Sequence, residues 1–111
     1  MKTRYVTEMG MGTDVHGRDY TLAAERAVFD AIHHSSLHFF APLKKTAHDM
    51  YIDLLIGIPE PDEVDLDRVA KALPYGTVNV TVKKGGLEIP ADDGEDAIVI
   101  ANAGIIVRLA D

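Results

Sequence analysis

The sequence has no cysteine, which excludes disulfides, catalysis by a thiolate and metal sites built on cysteine. Nothing in it therefore points to an oxidising compartment, and we expect a cytoplasmic protein. Basic residues are also scarce: 11 lysines and arginines stand against 18 aspartates and glutamates, a formal charge of −7. Because such a charge repels a phosphate backbone, we expect no nucleic-acid partner.

Long apolar runs are missing as well. No stretch approaches the roughly 18 apolar residues of a membrane span, and residues 1–12 lack the apolar centre of a signal peptide. We expect a protein that is neither secreted nor bound to a membrane.

What is present is the balance of an ordinary globular protein, with 47% hydrophobic and 26% charged residues. A chain of 111 residues is long enough for one hydrophobic core. No repeat or linker interrupts it, and the longest irregular stretch is residues 37–47, too short to separate domains. The sequence predicts a single α+β domain over residues 1–111.

The first half of the chain predicts a strand, a helix and a second strand. Residues 2–9 form a strand that runs into a glycine loop, and Asp19 is the N-cap of a helix with one apolar face. Apolar residues then alternate through 50–58, which predicts a largely buried strand that Pro59 ends.

The second half predicts one helix and three strands. Asp65 caps a short helix that Pro74 stops, and residues 77–89 alternate around Lys84-Gly85-Gly86, which predicts a hairpin. Residues 97–109 are almost continuously apolar, as in a central strand.

The element order is therefore β-α-β-α-β-β-β. It predicts a two-layer sandwich with a mixed four- to five-stranded sheet and two helices on one face, chorismate-mutase-like or ferredoxin-like. Two helices leave the other sheet face exposed, which favours oligomerisation.

Residues 10–17, Gly-Met-Gly-Thr-Asp-Val-His-Gly, carry the densest chemistry. In an extended loop Asp14 and His16 lie two apart and point to the same side, and the glycines let the backbone approach a ligand. The pair could bind a divalent metal, zinc or manganese, or act as a catalytic acid/base couple in which the carboxylate fixes the imidazole tautomer. Alternatively, Asp14 caps the loop, His16 bonds to backbone, and the glycines only form a turn.

The chain resembles a small, uncharacterised bacterial family of conserved hypothetical proteins whose hallmark is Gly-x-Gly-x-Asp-x-His-Gly. The fixed positions are matched by Gly10, Gly12, Asp14, His16 and Gly17.

Residues 12–16 also resemble the first motif of the trimeric 2-C-methyl-D-erythritol 2,4-cyclodiphosphate synthases, which implies that Asp14 and His16 are metal ligands. That synthase's later histidine has no counterpart here, so the cyclase activity is not expected. Residues 99–107, with their small-residue centre at 101–104, resemble one repeat of the ring-opening amidohydrolases.

Further residues could complete a site beside Asp14. If the strands before and after the first helix are parallel, the second strand ends near Asp14, together with the carboxylates of residues 60–63 and the turn at residues 83–85. The candidate oxygen ligands are Glu60, Asp62 and Glu63. Carboxylates grouped before a helix are, however, more often a solvated first turn. The candidate ligand-binding residues are Gly10, Gly12, Gly17, Arg18 and Lys83. Of the basic residues, Arg18, Lys83 and Lys84 could hold an anionic group.

The remaining histidines are assigned by the same topology. Three of them lie at the opposite end of the protomer and could reach Asp14 only from a neighbouring subunit: His33, His34 and His48. His38 receives no assignment. The leading hypothesis is a homo-oligomeric, expected trimeric, small-molecule enzyme with Asp14 and His16 in an intersubunit cleft. The alternatives are a noncatalytic metabolite-binding or regulatory subunit and a ring-opening amidohydrolase-like hydrolase.

Overall fold

In a computed structural model, which describes residues 2–33, 50–73 and 76–110, five strands form one sheet with two α-helices. The elements are β1 (Lys2–Asp14), α1 (Tyr20–His33), β2 (Met50–Ile58), a 3-10 turn (Pro61–Glu63), α2 (Leu66–Ala70), β3 (Thr77–Lys84), β4 (Leu87–Pro90) and β5 (Ala97–Ala110). The predicted element order and the α+β class with a mixed sheet are confirmed. The predictions for residues 37–47, His34, His38, His48 and Pro74 lie outside the described residues.

β5 is the centre of the sheet. It pairs antiparallel with β1 along one edge and antiparallel with β2 along the other, and β3 extends the sheet parallel to β2. β1 and β2 therefore run in the same direction, as predicted, with β5 between them. Asp14, Ile58 and Lys84, which end β1, β2 and β3, all lie at the same end of the sheet.

The predicted hairpin over residues 77–89 is wrong. Within the described strands, β3 pairs with β2, whereas β4 pairs with β5. Because β2 ends at Ile58, the edge of β5 is free from Ala97 to Ile100, and β4 occupies it. Gly86 permits the crossing, since it has a φ of +64° and a Cβ there would collide with the carbonyl oxygen of Ile100. The hairpin that forms joins β4 to β5 through the acidic turn at 91–96.

β1 is longer than predicted, because its pairing with β5 continues to Asp14 opposite Val99. Gly10 and Gly12 consequently lie inside a strand and face α1. A Cβ on either glycine would collide with the helix backbone between Ala23 and Ala31. The two glycines let α1 rest directly on β1, which is a packing role that the loop interpretation did not include.

Both helices begin at the predicted caps. The Leu22 amide donates to Asp19 Oδ1 at 3.0 Å, and the Arg68 amide donates to Asp65 Oδ1 at 3.2 Å. The buried core comprises the helix-facing side chains of β2 and β5, the inner face of α1, and residues in and around α2. Its largest fully buried side chains are Met50, Ile52, Leu54, Ile56, Ile58, Leu109, Val28, Val69 and Val99.

The outer edge of β1 is partly occupied by side chains of α1. Asp30 Oδ2 accepts a hydrogen bond from the Met11 amide at 2.9 Å, and Arg26 Nη1 donates to the Thr13 carbonyl at 2.7 Å. These bonds satisfy main-chain groups that an edge strand otherwise presents to another chain. Among the described residues, no helix is long and apolar enough to cross a membrane.

Candidate functional site

The segment that joins β1 to α1 meets the turn that joins β4 to β5, and this junction contains most of the motif. Asp14 lies on the buried side of it. Its Oδ2 accepts a hydrogen bond from the Asp19 amide at 2.9 Å, and its Oδ1 is 3.8 Å from Arg26 Nη1. Asp14 therefore holds the chain in position where α1 begins, as the capping alternative predicted.

His16 lies on the exposed side, with 86% of its side chain accessible. Its Nδ1 is 3.0 Å from Asp96 Oδ2. Asp14 and His16 therefore do not converge on one point in this structure, because one is buried against α1 and the other faces the β4–β5 turn. The carboxylate that orients the imidazole is Asp96, 80 residues away in the sequence.

Asp96 collects several hydrogen bonds on one carboxylate. The amides of Gly17 and Ala97 donate to its Oδ1 at 2.9 and 2.8 Å, in addition to the contact with His16. These contacts, the Gly17 amide first, lower the pKa of Asp96 from 3.8 to about 2. At neutral pH the carboxylate is ionised and can only accept, so in the neutral imidazole Nδ1 carries the hydrogen and Nε2 presents its lone pair to solvent.

Arg18 connects the same two segments from the other side. Its φ is +49°, and that of the preceding Gly17 is +87°. Residues other than glycine seldom adopt a positive φ. Its guanidinium donates to the carbonyls of Gly94, Glu95 and Asp96 at 3.2 to 3.4 Å. These bonds hold the acidic turn against the motif, and the predicted use of Arg18 for a ligand stays a prediction.

Glu88 on β4 completes the junction. Its Oε1 accepts a hydrogen bond from the Tyr20 hydroxyl at 2.6 Å, and its Oε2 is 3.4 Å from Arg18 Nε. The hydrogen bond to Glu88 is the main cause that raises the pKa of Tyr20 to about 12. The first turn of α1 is thereby tied to the sheet through a phenol that stays protonated.

A surface pocket of about 200 Å³ opens beside the imidazole. His16 and Asp96 supply its polar groups. Its other walls are small or apolar residues: Val15, Ile89, Pro90, Ala91, Ala97 and Ile98. An oriented imidazole beside an apolar wall is an arrangement that suits a small ligand with one polar group.

The other predicted site residues lie elsewhere. Lys83 lines a separate depression on the sheet face away from the helices. Glu60 lies near enough to Tyr20 for its charge to contribute to the raised phenol pKa, and Asp62 and Glu63 are exposed in the 3-10 turn. Within residues 2–33, 50–73 and 76–110, no group of three or more metal-ligating side chains is assembled. His33 ends α1 at the opposite end from Asp14, as predicted.

Asp96 and Glu88 are the residues that the sequence did not reveal. Asp96 belongs to the run Asp92-Asp93-Gly94-Glu95-Asp96, which has the composition of a solvated turn. Only the pairing of β4 with β5 brings that turn to the motif, and the predicted hairpin assigned β4 to a different neighbour.

Comparisons with known proteins agree with the fold. The sequence profile of the family described as "Conserved hypothetical protein (Lin0512_fam)" matches residues 4–107. The chain is similar to an FtsZ-like protein of unknown function from Nostoc punctiforme whose crystal structure is known, with 32% sequence identity and a TM-score of 0.89. The match covers 99% of this chain and 98% of that chain. No curated protein matches the sequence.

These findings do not support the local resemblances to the cyclodiphosphate synthases and the ring-opening amidohydrolases. The profile match spans residues 4–107, which is nearly the whole chain. The chain therefore belongs to the conserved hypothetical protein family Lin0512_fam.

Proposed function

We propose that this protein binds a small molecule at the pocket beside His16, with Nε2 of the imidazole as the polar contact and Asp96 as the residue that orients it. The observation that carries the proposal is the geometry of His16, whose side chain is 86% exposed although its Nδ1 is held by an ionised carboxylate. A histidine held in this way keeps one tautomer and one ring orientation, which favours recognition of a donor group on a ligand.

The pocket favours binding over catalysis. Apart from His16 and Asp96, the described residues that line it carry no side chain able to donate or accept a proton. An oriented imidazole can serve as a general base, but the described lining offers no further side chain to act as a nucleophile or an acid. The noncatalytic alternative from the sequence is therefore the version that we propose first.

A divalent metal is the second candidate, and the exposed Nε2 of His16 supports it. Imidazole nitrogen is a common ligand of zinc, and a carboxylate on the other ring nitrogen strengthens it as a ligand. Among the described residues no group of three or more candidate ligands is assembled, and the carboxylate beside His16, Asp96, contacts its Nδ1. A zinc or manganese site would thus need ligands from a second copy of the chain, as the intersubunit hypothesis requires.

The experiment is a fragment screen by NMR with wild-type protein, His16→Gln and Lys83→Gln. We expect fragments that shift the resonances of Val15, Ile89 and Ile98, and we expect His16→Gln to abolish those shifts. Lys83→Gln is the control, because Lys83 lies on the other depression and should leave them unchanged. Fragments that bind His16→Gln as well as wild type at this pocket, or that bind only elsewhere, would contradict the proposal.

Zinc chloride titration of the same proteins tests the metal version. Binding that requires His16 and that increases the molecular mass would support a site shared between copies. If zinc causes no shift at His16, the metal version is wrong, whereas the fragment result still decides the binding proposal.

A further inference from the structure

The sheet face opposite the helices carries most of the exposed large apolar side chains. Strand register places Met9 and Leu55 on either side of Gly104, and Ile89 beside Ile98, all on this face. The apolar side chains that share the face and are exposed are Met9, Met11, Leu55, Leu87, Ile89 and Ile98. Met9 is 75% accessible, and within the described residues no helix covers it. A patch of this kind marks an interaction surface.

The face also carries a depression next to an exposed apolar side chain. Gly57 and Gly104 leave a depression of about 370 Å³, bordered by Met9, Leu55 and Asn102. A Cβ added at Gly104 would have no heavy atom within 4 Å, so the depression is open space above the strand. Met9 projects beside it. Each copy of the chain thus presents both an apolar projection and a depression that lacks side chains.

Charge on this face favours a second copy of the chain. The chain has a formal charge of −7, but this face carries few charged side chains. Counted from Thr7 onward in β1 and along the other strands, the register places three of them here: Asp53, Lys83 and Arg108. Arg108 Nε is 3.3 Å from Asp53 Oδ2, so the acidic residue is already paired. The acidic excess lies off the face, and two copies can meet here without opposing carboxylates.

We propose that this face is the interface between copies of the chain, with Met9 of one copy seated in the Gly57–Gly104 depression of the next. The contact removes the exposed apolar side chains from water and leaves the helices outside. The His16–Asp96 contact stays within one chain, whereas Ile89 and Ile98 belong both to this face and to the pocket beside His16. The predicted homo-oligomer thereby acquires a specific surface and a specific contact.

Sedimentation velocity and light scattering across a concentration series test the interface with three variants. Met9→Lys places a charge on the projection, and Gly104→Thr adds a side chain to the depression at a position where a Cβ meets no heavy atom within 4 Å. Met9→Lys makes the net charge less negative and Gly104→Thr leaves it unchanged. Stronger charge repulsion between copies therefore cannot explain dissociation of either variant. The control is Leu66→Lys on α2, where an exposed leucine away from the sheet receives the same charge.

We expect an oligomeric wild type, an oligomeric Leu66→Lys, and self-association weakened about tenfold or more in both Met9→Lys and Gly104→Thr, as for substitutions at interface centres. Circular dichroism should show that both variants remain folded. A monomeric wild type overturns the proposal, whether its face is then bare or covered by a different protein. An oligomer that Met9→Lys and Gly104→Thr leave intact also overturns it, because the interface must then lie elsewhere.

Discussion

Asp96 receives hydrogen bonds from two separate segments of the chain, and its ionisation holds the candidate site together. Its pKa is about 2 in the folded protein and 3.8 when unperturbed. Since the folded value is the lower one, the carboxylate stabilises the fold fully above the unperturbed pKa. That contribution is lost as the pH falls toward 2.

Asp96→Asn should therefore lower the free energy of unfolding at neutral pH, and the difference from wild type should shrink as the pH falls from 4 to 2. Urea denaturation at a series of pH values measures it. Asp92→Asn removes the same charge from the same turn and should not reproduce this pH-dependent difference. A gap between Asp96→Asn and wild type that stays constant down to pH 2 would show that Asp96 does not act through its ionised form.

Asp14 allows a direct comparison between a structural carboxylate and a ligand-binding one. Asp14→Ala leaves the Asp19 amide without its partner and should cost about 1–3 kcal/mol of stability. Asp14→Asn retains an oxygen that can accept the same hydrogen bond, so its cost should stay below about 1 kcal/mol. Thermal and urea denaturation measure both, with the exposed Asp62→Ala as control. If Asp14→Asn abolishes ligand or zinc binding while the fold stays stable, the purely structural role is wrong.

At the scale of single elements, none of the other described strands pairs with the outer edge of β1, and side chains of α1 occupy part of that edge. These contacts depend on Gly10 and Gly12, which let the helix lie close enough for the side chains of Arg26 and Asp30 to reach the strand backbone. A long edge strand with unpaired main-chain groups is a template for strand addition by another chain.

The double variant Arg26→Ala, Asp30→Ala should therefore aggregate faster, with a loss of about 1–2 kcal/mol in unfolding free energy from the two lost hydrogen bonds. Thioflavin T fluorescence and light scattering over time measure the aggregation. The matched control is Asp67→Ala, Lys71→Ala, which also removes one acid and one base from an exposed helical surface. Equal aggregation rates for the two double variants would show that the helix does not protect the edge.

The elements themselves were largely predictable, because caps and apolar periodicity are local signals. Asp19 and Asp65 cap the two helices as expected, and the strand at residues 50–58 has the predicted bounds. The end of β1 was not predictable in this way, since Gly10 and Gly12 have the composition of a loop. Only the approach of α1 explains why glycine is needed inside that strand.

The candidate site depends on strand pairings between distant parts of the chain, and for that reason only half of it could be predicted from the sequence. The motif at residues 10–17 identified His16 and the chemistry of a carboxylate that fixes an imidazole. Asp14 was assigned that role because it lies two residues from His16 in the sequence. Which carboxylate reaches His16 is decided by β4 taking the free edge of β5, and no local pattern in residues 87–96 reports that choice.

The central position of β5 also sets the order of events as the chain is made. β5 is the last of the five strands to leave the ribosome, yet β1 and β2 both need it as their neighbour. At the usual pace of synthesis, β1 waits on the order of seconds for that neighbour, with the main-chain groups of its inner edge unpaired. The nascent chain is thus exposed to misassociation until its final strand arrives, so a chaperone that shields the emerging chain would act on the stretch before residue 97.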